Sequence, residues 1–344
     1  MKIFNLILFI LLLVGFTESV YGEKKKVGQT GMTYLAISMC ARESAMGDAA
    51  TASVKGVNGF WHNPAVLADI ERFAVSFNQV NWLVNTKLSG LALAYTSGNW
   101  GTFGIDLTYM DYGEIIGTRP VAKSINPRGF ELTEKIGVED YAFGFSYARR
   151  INERFSFGFK IKRLHESLGS ASLVVDEYDD PETGDITRIR ETRIWELNDW
   201  GLDFGTIYHV GWKNLTIAMT MQNFSRDMKY WFEEFQLPLT IRMGLAVDVT
   251  EFFLPNNENM DFNLSMDGIH PIDYLETVNL GAEFVFQKKI ALRSGYKFNH
   301  DVESFSAGVG AQFEFSGVSV TFDYAYTMAD YFQDINRFSA YFTF

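Results

Sequence analysis

From Arg72 onward, apolar side chains alternate with small or polar ones in segments of roughly ten residues. A period of two is the period of a β-strand, whose successive side chains point to opposite faces. In Phe155-Ser156-Phe157-Gly158-Phe159-Lys160-Ile161-Lys162, the Phe and Ile residues share one face while Ser, Gly and Lys share the other. Phe103, Ile105, Leu107 and Tyr109 alternate with Thr102, Gly104, Asp106 and Thr108. Ile241, Met243, Leu245 and Val247 alternate with Arg242, Gly244, Ala246 and Asp248. Val318, Val320, Phe322, Tyr324 and Tyr326 alternate with Ser319, Thr321, Asp323, Ala325 and Thr327. Read in this way, the chain carries about fourteen strands. They fall at 72–81, 86–97, 99–111, 138–150, 153–168, 196–210, 213–225, 238–250, 258–268, 276–287, 289–299, 303–315, 317–328 and 334–344.

Charges sit on the small or polar face of these segments and are missing from the apolar one. That division suits a wall with lipid on one side, because a lipid-facing Arg or Lys at mid-depth costs about 2–4 kcal/mol. The connections sort as well. Turns near 98–99, 152, 211–212, 255, 288 and 317 are mostly short, whereas the segments 112–137, 169–195 and 225–238 at the opposite end are long. Bacterial barrels have short periplasmic turns and longer outer loops, and an even strand number. Trp100 and Trp212 lie at the short turns and Trp82 near the other end, where interfacial girdles are expected. On the last segment Phe338, Ala340, Phe342 and the terminal Phe344 share a face. This ending resembles the signal read by the outer-membrane assembly machinery, and it marks Phe338, Phe342 and Phe344 as assembly residues. The pattern therefore predicts an all-β fold, an antiparallel transmembrane β-barrel over residues 72–344.

Composition agrees with that picture and narrows the function. Aromatic residues make up 16% of the 344, with 31 Phe and 16 Tyr, and there are 29 Gly. Belts of aromatic side chains and many tight turns use such a mixture. A net charge of −12 excludes a general nucleic-acid binder, which needs a basic face for phosphates. The single cysteine, Cys40, is expected neither to form an internal disulfide nor to supply a thiolate metal site. At the start, Lys2, the apolar run 7–16 and Val20-Tyr21-Gly22 before Glu23 read as a signal peptide cleaved after residue 22. The run is too short to span a bilayer, and no cysteine follows it to carry a lipid. Export to the outer membrane of a Gram-negative-type bacterium is the expectation.

Residues 23–71 lack the strand period. Cys40-Ala41-Arg42-Glu43-Ser44-Ala45-Met46-Gly47-Asp48-Ala49-Ala50 reads as short helix and turn, and Asn63-Pro64-Ala65 opens another, with Asn as cap and Pro at a first helical position. The ordered set Ala41-Arg42, Met46-Gly47-Asp48-Ala49 and Trp61-His62-Asn63-Pro64-Ala65 resembles the N-terminal signature of the PorV/PorQ family. That family is related to the long-chain fatty acid transporters of the FadL type. Its specific motifs are confined to about residues 28–68, and Val66 stands where the common form has Gly. The resemblance implies a barrel with an N-terminal helical hatch inside the lumen, with Arg42, Met46, Gly47, Asp48, Asn63, Pro64 and Ala65 as hatch residues. Arg42, Glu43 and Asp48 would then meet wall charges such as Lys160, Lys162, Asp203, Arg242, Glu283 and Arg293.

Other chemistry is sparse. None of His62, His165, His209, His270 and His300 has a partner at metal-ligand spacing, so no metal is expected. His165 and Ser167 share a strand end without a Gly-x-Ser-x-Gly elbow, and no catalytic residue or cofactor is assigned. The acidic stretch 176–185 does not match the spaced calcium loop and reads as a hairpin tip. Tyr230-Trp231-Phe232 and Phe235 form an aromatic loop that either contacts a ligand or partner, or folds over the mouth. Two functions follow from the resemblance. The first is a non-enzymatic protein of PorV/PorQ type, binding secreted cargo or secretion-system proteins in type IX-like secretion. The alternative is FadL-like transport of hydrophobic small molecules such as fatty acids. Outer-membrane lipid and the assembly machinery are partners in both.

Overall fold

The computed structural model describes residues 28–124, 126–179, 186–212, 214–253 and 259–344. The signal-peptide segment lies outside them, as do residues 180–185 of the acidic stretch. The strands in chain order are β1 Phe73–Asn81, β2 Lys87–Thr96, β3 Thr102–Asp111, β4 Ile116–Pro120, β5 Phe130–Lys135, β6 Glu139–Asn152, β7 Phe155–Asp179, β8 Ile186–His209 and β9 Thr216–Phe224. They continue with β10 Met228–Lys229, β11 Glu234–Phe235, β12 Thr240–Asp248, β13 Met260–Pro271, β14 Thr277–Phe286, β15 Ile290–Phe298, β16 Glu303–Phe315, β17 Val318–Ala329 and β18 Ile335–Thr343. Fourteen of them close a single antiparallel barrel in the order β1-β18-β17-β16-β15-β14-β13-β12-β9-β8-β7-β6-β3-β2. The first and last strands seal it, with Ala74 opposite Thr343 and Asn81 opposite Asn336. Closure leaves no sheet edge, which is what a strand structure in lipid requires.

The alternation read from the sequence is the inside–outside division of this wall. Along β3 every second residue is buried, Thr102, Gly104, Asp106, Thr108 and Met110, while Phe103, Ile105, Leu107 and Tyr109 point outward and are exposed. β7 repeats the arrangement, with Ser156, Lys160 and Lys162 buried inside. The apolar outer belt is thus fit for hydrocarbon, and the charges are turned to the lumen.

The connections 97–101, 153–154, 287–289 and 316–317 at one end are short; at the other end lie the connection 112–138, the β7–β8 hairpin and the connection 225–239. Four more connections at that second end, 82–86, 272–276, 299–302 and 330–334, are also short. The expected loop 169–195 is instead mostly strand: β7 and β8 stay paired from Phe155 opposite Tyr208 to Asp179 opposite Ile186. The connection 112–138 likewise holds the two-stranded ribbon β4–β5. Trp100 and Trp212 are exposed, as interfacial residues should be. Trp82 corrects the expectation. It is half-buried, packed with Leu83 against the cluster around Met32, Tyr34 and Met39, and the Arg337 guanidinium lies over its ring at 5.7 Å.

Candidate functional site

Residues 28–70 fill the ring of strands. They form the helix Ala41–Ala45 and the 3-10 turns Thr33–Ala36, Gly56–Phe60 and Pro64–Asp69, joined by tight turns. Residues 39–52 and 57–60 are all buried. These elements are too short to be stable alone, so their shape is imposed by the wall. Asn63 caps the Pro64–Asp69 turn by accepting from Ala65 N at 3.1 Å, while its Nδ2 donates to Thr51 O and Thr206 O. Val66, where the common form of the motif has Gly, is buried and packs against Gly59.

The wall makes room for this backbone with glycines. A Cβ on Gly295 would lie 2.0 Å from Gly47 N, and one on Gly158 would lie 2.3 Å from the Pro64 carbonyl carbon. Gly47 has φ +64° and rests on the Tyr296 backbone, so two constraints there favour glycine: conformation and space. Gly104, Gly205, Gly244, Gly281 and Gly308 face Phe60, Asn63, Thr51, Met46 and Ala45 in the same fashion.

Charges then fix the orientation. Arg42 forks onto Glu283, Nε to Oε1 at 2.9 Å and Nη2 to Oε2 at 2.8 Å, and its Nη1 donates to Ser53 O and Glu43. Arg293 shares Glu283 at 2.8 Å and reaches Asp323 at 2.6 Å. Asp48 pairs with Lys297, which also contacts Glu303 at 2.5 Å, and Glu303 in turn holds Arg337 at 2.8 Å. Arg337 donates to Ser38 O, returning the network to the hatch. Asp267 accepts from Ala50 N, Thr51 N and Thr51 Oγ1 at 3.0, 2.9 and 2.6 Å. Burial works against the Arg42 charge, but Glu283 and Glu43 more than offset it and raise its pKa. Burial likewise opposes the Asp48 carboxylate, yet Lys297 and Arg337 hold it well below the usual range.

The expected pairings are therefore met for Arg42 with Glu283. Lys160 and Lys162 pair instead with the wall carboxylates Asp106 and Asp203, each at 2.8 Å, although Lys160 Nζ also donates to the hatch carbonyl of Phe60. Lys297, absent from the expected set, is the partner of Asp48. Met46 is fully buried, and Gly47 N donates to Ser306 Oγ at 3.0 Å.

The aromatic loop divides between its two readings. Tyr230 turns inward, its hydroxyl donating to Glu166 at 2.7 Å and its ring stacked on Phe235, which presses on Gly31. Gly31 N donates to Gln236 O, so this half folds over the mouth and binds the hatch. Trp231 and Phe232 stack on each other at 4.7 Å and stay outside, with Phe232 76% exposed and Arg193 over the Trp231 ring. Phe338 and Phe344 are half-exposed on the outer face, and Phe344 packs on Phe73 at 5.5 Å where the barrel is sealed.

Above the hatch, at the end carrying the long loops, lies a cavity of about 480 Å³. Ala36, Ile37, Trp82, Leu83, Ile269, Tyr274, Leu275 and Val302 give it largely apolar walls. Asp273 and Asp301 line it too, as do Asp48, Arg242, Lys297 and Glu303. Asp48, Lys297 and Glu303 belong to the ion-pair network; Arg242 does not, and its Nε and Nη1 are buried without a hydrogen-bond partner. Its place on the inward face of β12, beside the small Gly244, was legible in the alternation; its lack of a partner was not.

No family model matches the chain, and no curated protein matches it. Solved structures do share its fold. CymD, a monoaromatic hydrocarbon channel, is 12% identical and superposes with a TM-score of 0.55 over 92% of this chain and 99% of its own. A Pseudomonas aeruginosa FadL homologue is 10% identical, with a TM-score of 0.53 over 90% and 98%. The Pseudomonas putida toluene transporter TodX is 12% identical, with a TM-score of 0.53 over 87% and 96%. The fold is thus that of the FadL-type outer-membrane channels. These neighbours are channels and transporters, not enzymes, and none of them is a PorV or PorQ protein. The likeness to PorV/PorQ rests on the hatch motifs alone.

Proposed function

We propose that this chain is an outer-membrane conduit for hydrophobic small molecules, of the kind its fold neighbours are named for, with the cavity above the hatch as the capture site. The observation that carries the reading is the combination of apolar walls with one unpaired guanidinium, Arg242, in a cavity of about 480 Å³. That size lies within the range of ligand pockets, which are mostly apolar with a few fixed polar groups. An apolar ligand with a single carboxylate, such as a medium-chain fatty acid, satisfies both parts: its chain replaces water on the walls and its head accepts from Arg242. Placing a charged partner on this half-buried, unpaired Arg adds about 1.5–3 kcal/mol, or roughly ten- to a hundredfold in affinity.

Trp82 lines the cavity and serves as the reporter. A brominated fatty acid is expected to quench tryptophan emission in the purified barrel, and Arg242→Leu to weaken that quenching at least about tenfold. Loss of quenching in Trp82→Phe locates the ligand. Saturable quenching that Trp82→Phe and Arg242→Leu both leave unchanged would put the ligand elsewhere and refute the assignment.

The exposed Trp231–Phe232 pair supports the second reading, a docking ridge for a protein in PorV-type secretion. Trp231→Ser/Phe232→Ser would then abolish copurification of surface proteins while leaving fatty-acid quenching intact; unchanged copurification would remove this reading.

A further inference from the structure

The two arms of the hatch meet at three side chains, Cys40, Glu43 and His62, of which Glu43 also accepts from Arg42 at 3.2 Å. Cys40 stands directly before the helix Ala41–Ala45, Glu43 within it, and His62 follows the turn Gly56–Phe60. One donor atom from each, a thiol sulfur, a carboxylate oxygen and a ring nitrogen, lies within 4.8 Å of the others. All three residues are sealed from solvent: Cys40 and Glu43 at 0% exposure and His62 at 4%. His62 Nε2 is buried without a hydrogen-bond partner, which is costly for an imidazole nitrogen unless something else occupies it. Asn58 Nδ2 donates to Glu43 Oε2 at 2.7 Å and to Tyr341 Oη at 3.0 Å, fixing the carboxylate from behind in the manner of an outer-shell partner.

We propose that Cys40, Glu43 and His62 bind one divalent transition-metal ion, zinc being the best fit, and that it ties the two arms of the hatch together. Charge favours such an ion. A thiolate, a carboxylate and a neutral imidazole carry two negative charges, and Arg42, which forks onto Glu283, offsets Glu43 only in part, so a dication meets an anionic ligand set. Ligand type favours it also, because thiolate and imidazole select zinc over magnesium or calcium. Bonds of about 2.0–2.3 Å in a tetrahedral site place donors roughly 3.3–3.8 Å apart, so the trio needs to contract by at most about 1.5 Å. The three span the hatch, not the wall, so the ion would stiffen the plug without adding to barrel closure.

Cobalt(II) tests this directly, because a thiolate–cobalt charge-transfer band can come from this chain's single cysteine alone. The chain from residue 23 onward is refolded into detergent with one equivalent of Co²⁺, and its barrel is verified by heat-modifiable migration. The expected result is a near-ultraviolet charge-transfer band at one cobalt per chain, displaced by Zn²⁺. Cys40→Ser should abolish the band, and His62→Ala and Glu43→Gln should each weaken cobalt binding at least tenfold. A folded wild-type barrel without the band overturns the inference whatever the variants do. A band whose affinity is the same in folded His62→Ala and Glu43→Gln overturns it as well, since the cysteine would then be binding alone.

Discussion

Arg42→Met removes the fork between hatch and wall and gives the most quantitative test of how the plug is held. In the wild type Arg42 makes two charge-assisted bonds to Glu283, at 2.9 and 2.8 Å, plus one each to Glu43 and Ser53 O. Breaking a buried pair by removing one partner costs about 3–5 kcal/mol, mainly because the other charge is stranded. Here Glu283 is not stranded, since Arg293 remains at 2.8 Å and Lys55 at 3.7 Å. The fully buried Glu43 keeps Asn58 Nδ2 but loses its guanidinium, so the expected cost is about 3–5 kcal/mol. The barrel strands are independent of it, so the loss should appear in the opening of the hatch alone. Hydrogen exchange by mass spectrometry on peptides covering 39–54 should show protection falling at least about a hundredfold, with strand peptides unchanged. Glu283→Leu leaves Arg42 with Glu43 at 3.2 Å as its ion-pair partner, beside the Ser53 carbonyl, and should cost more than Arg42→Met. The double variant Arg42→Met/Glu283→Leu, which replaces the pair with apolar groups, should recover part of the loss. If Arg42→Met leaves hatch protection within about twofold of wild type, the ion pairs do not hold the plug and the reasoning fails.

Further predictions address other contacts. Gly295→Val places a side chain where Gly47 and Met46 backbone atoms now lie, so the hatch should become protease-sensitive while the barrel stays heat-modifiable; Gly268→Val, with no neighbour within 4 Å, is the matched control. Asn63→Ala removes the cap on Ala65 N and should lower hatch stability by about 0.5–2 kcal/mol, read as faster exchange of residues 64–69. Phe344→Ser strips the terminal aromatic that packs on Phe73 and should reduce the amount of barrel reaching the outer membrane; undiminished assembly would discount the terminal signal.

The strands were legible because lipid enforces the code. A strand with hydrocarbon on one side and a packed lumen on the other must alternate, and all fourteen membrane strands were readable from that rule. The rule lapses beyond the membrane, where neither face meets lipid. Residues 186–195 read Ile186-Thr187-Arg188-Ile189-Arg190-Glu191-Thr192-Arg193-Ile194-Trp195, mixed on both faces, yet their backbone still pairs with β7. The extended hairpin therefore looked like a loop. Trp82 was misplaced because a tryptophan near a strand end has two apolar destinations, the interface and the lumen cluster, and the sequence does not distinguish them.

Within the site, the inward charges were visible as a class but their pairing was not. Lys160 looks equally able to meet Asp48 or Asp106; the register of β3 on β6 and β6 on β7 brings it to Asp106. The lumen cavity had no local signal at all, since its walls come from the hatch, the connection 82–86, and strands β12 to β16 with the connections 272–276 and 299–302. The meeting of Cys40 and Glu43 with His62 depends on the hatch folding back on itself, which spacing along the chain does not express.

The central claim is that residues 28–70 close the lumen of a fourteen-stranded wall. Single-channel recording in planar bilayers tests it most directly, comparing the chain from residue 23 onward with the same chain lacking residues 28–68. The full chain should pass little or no ion current, and the deletion should open steps of stable, high conductance. Equal conductance from the two proteins would contradict the account, because the lumen would then be open, or closed by something other than the hatch.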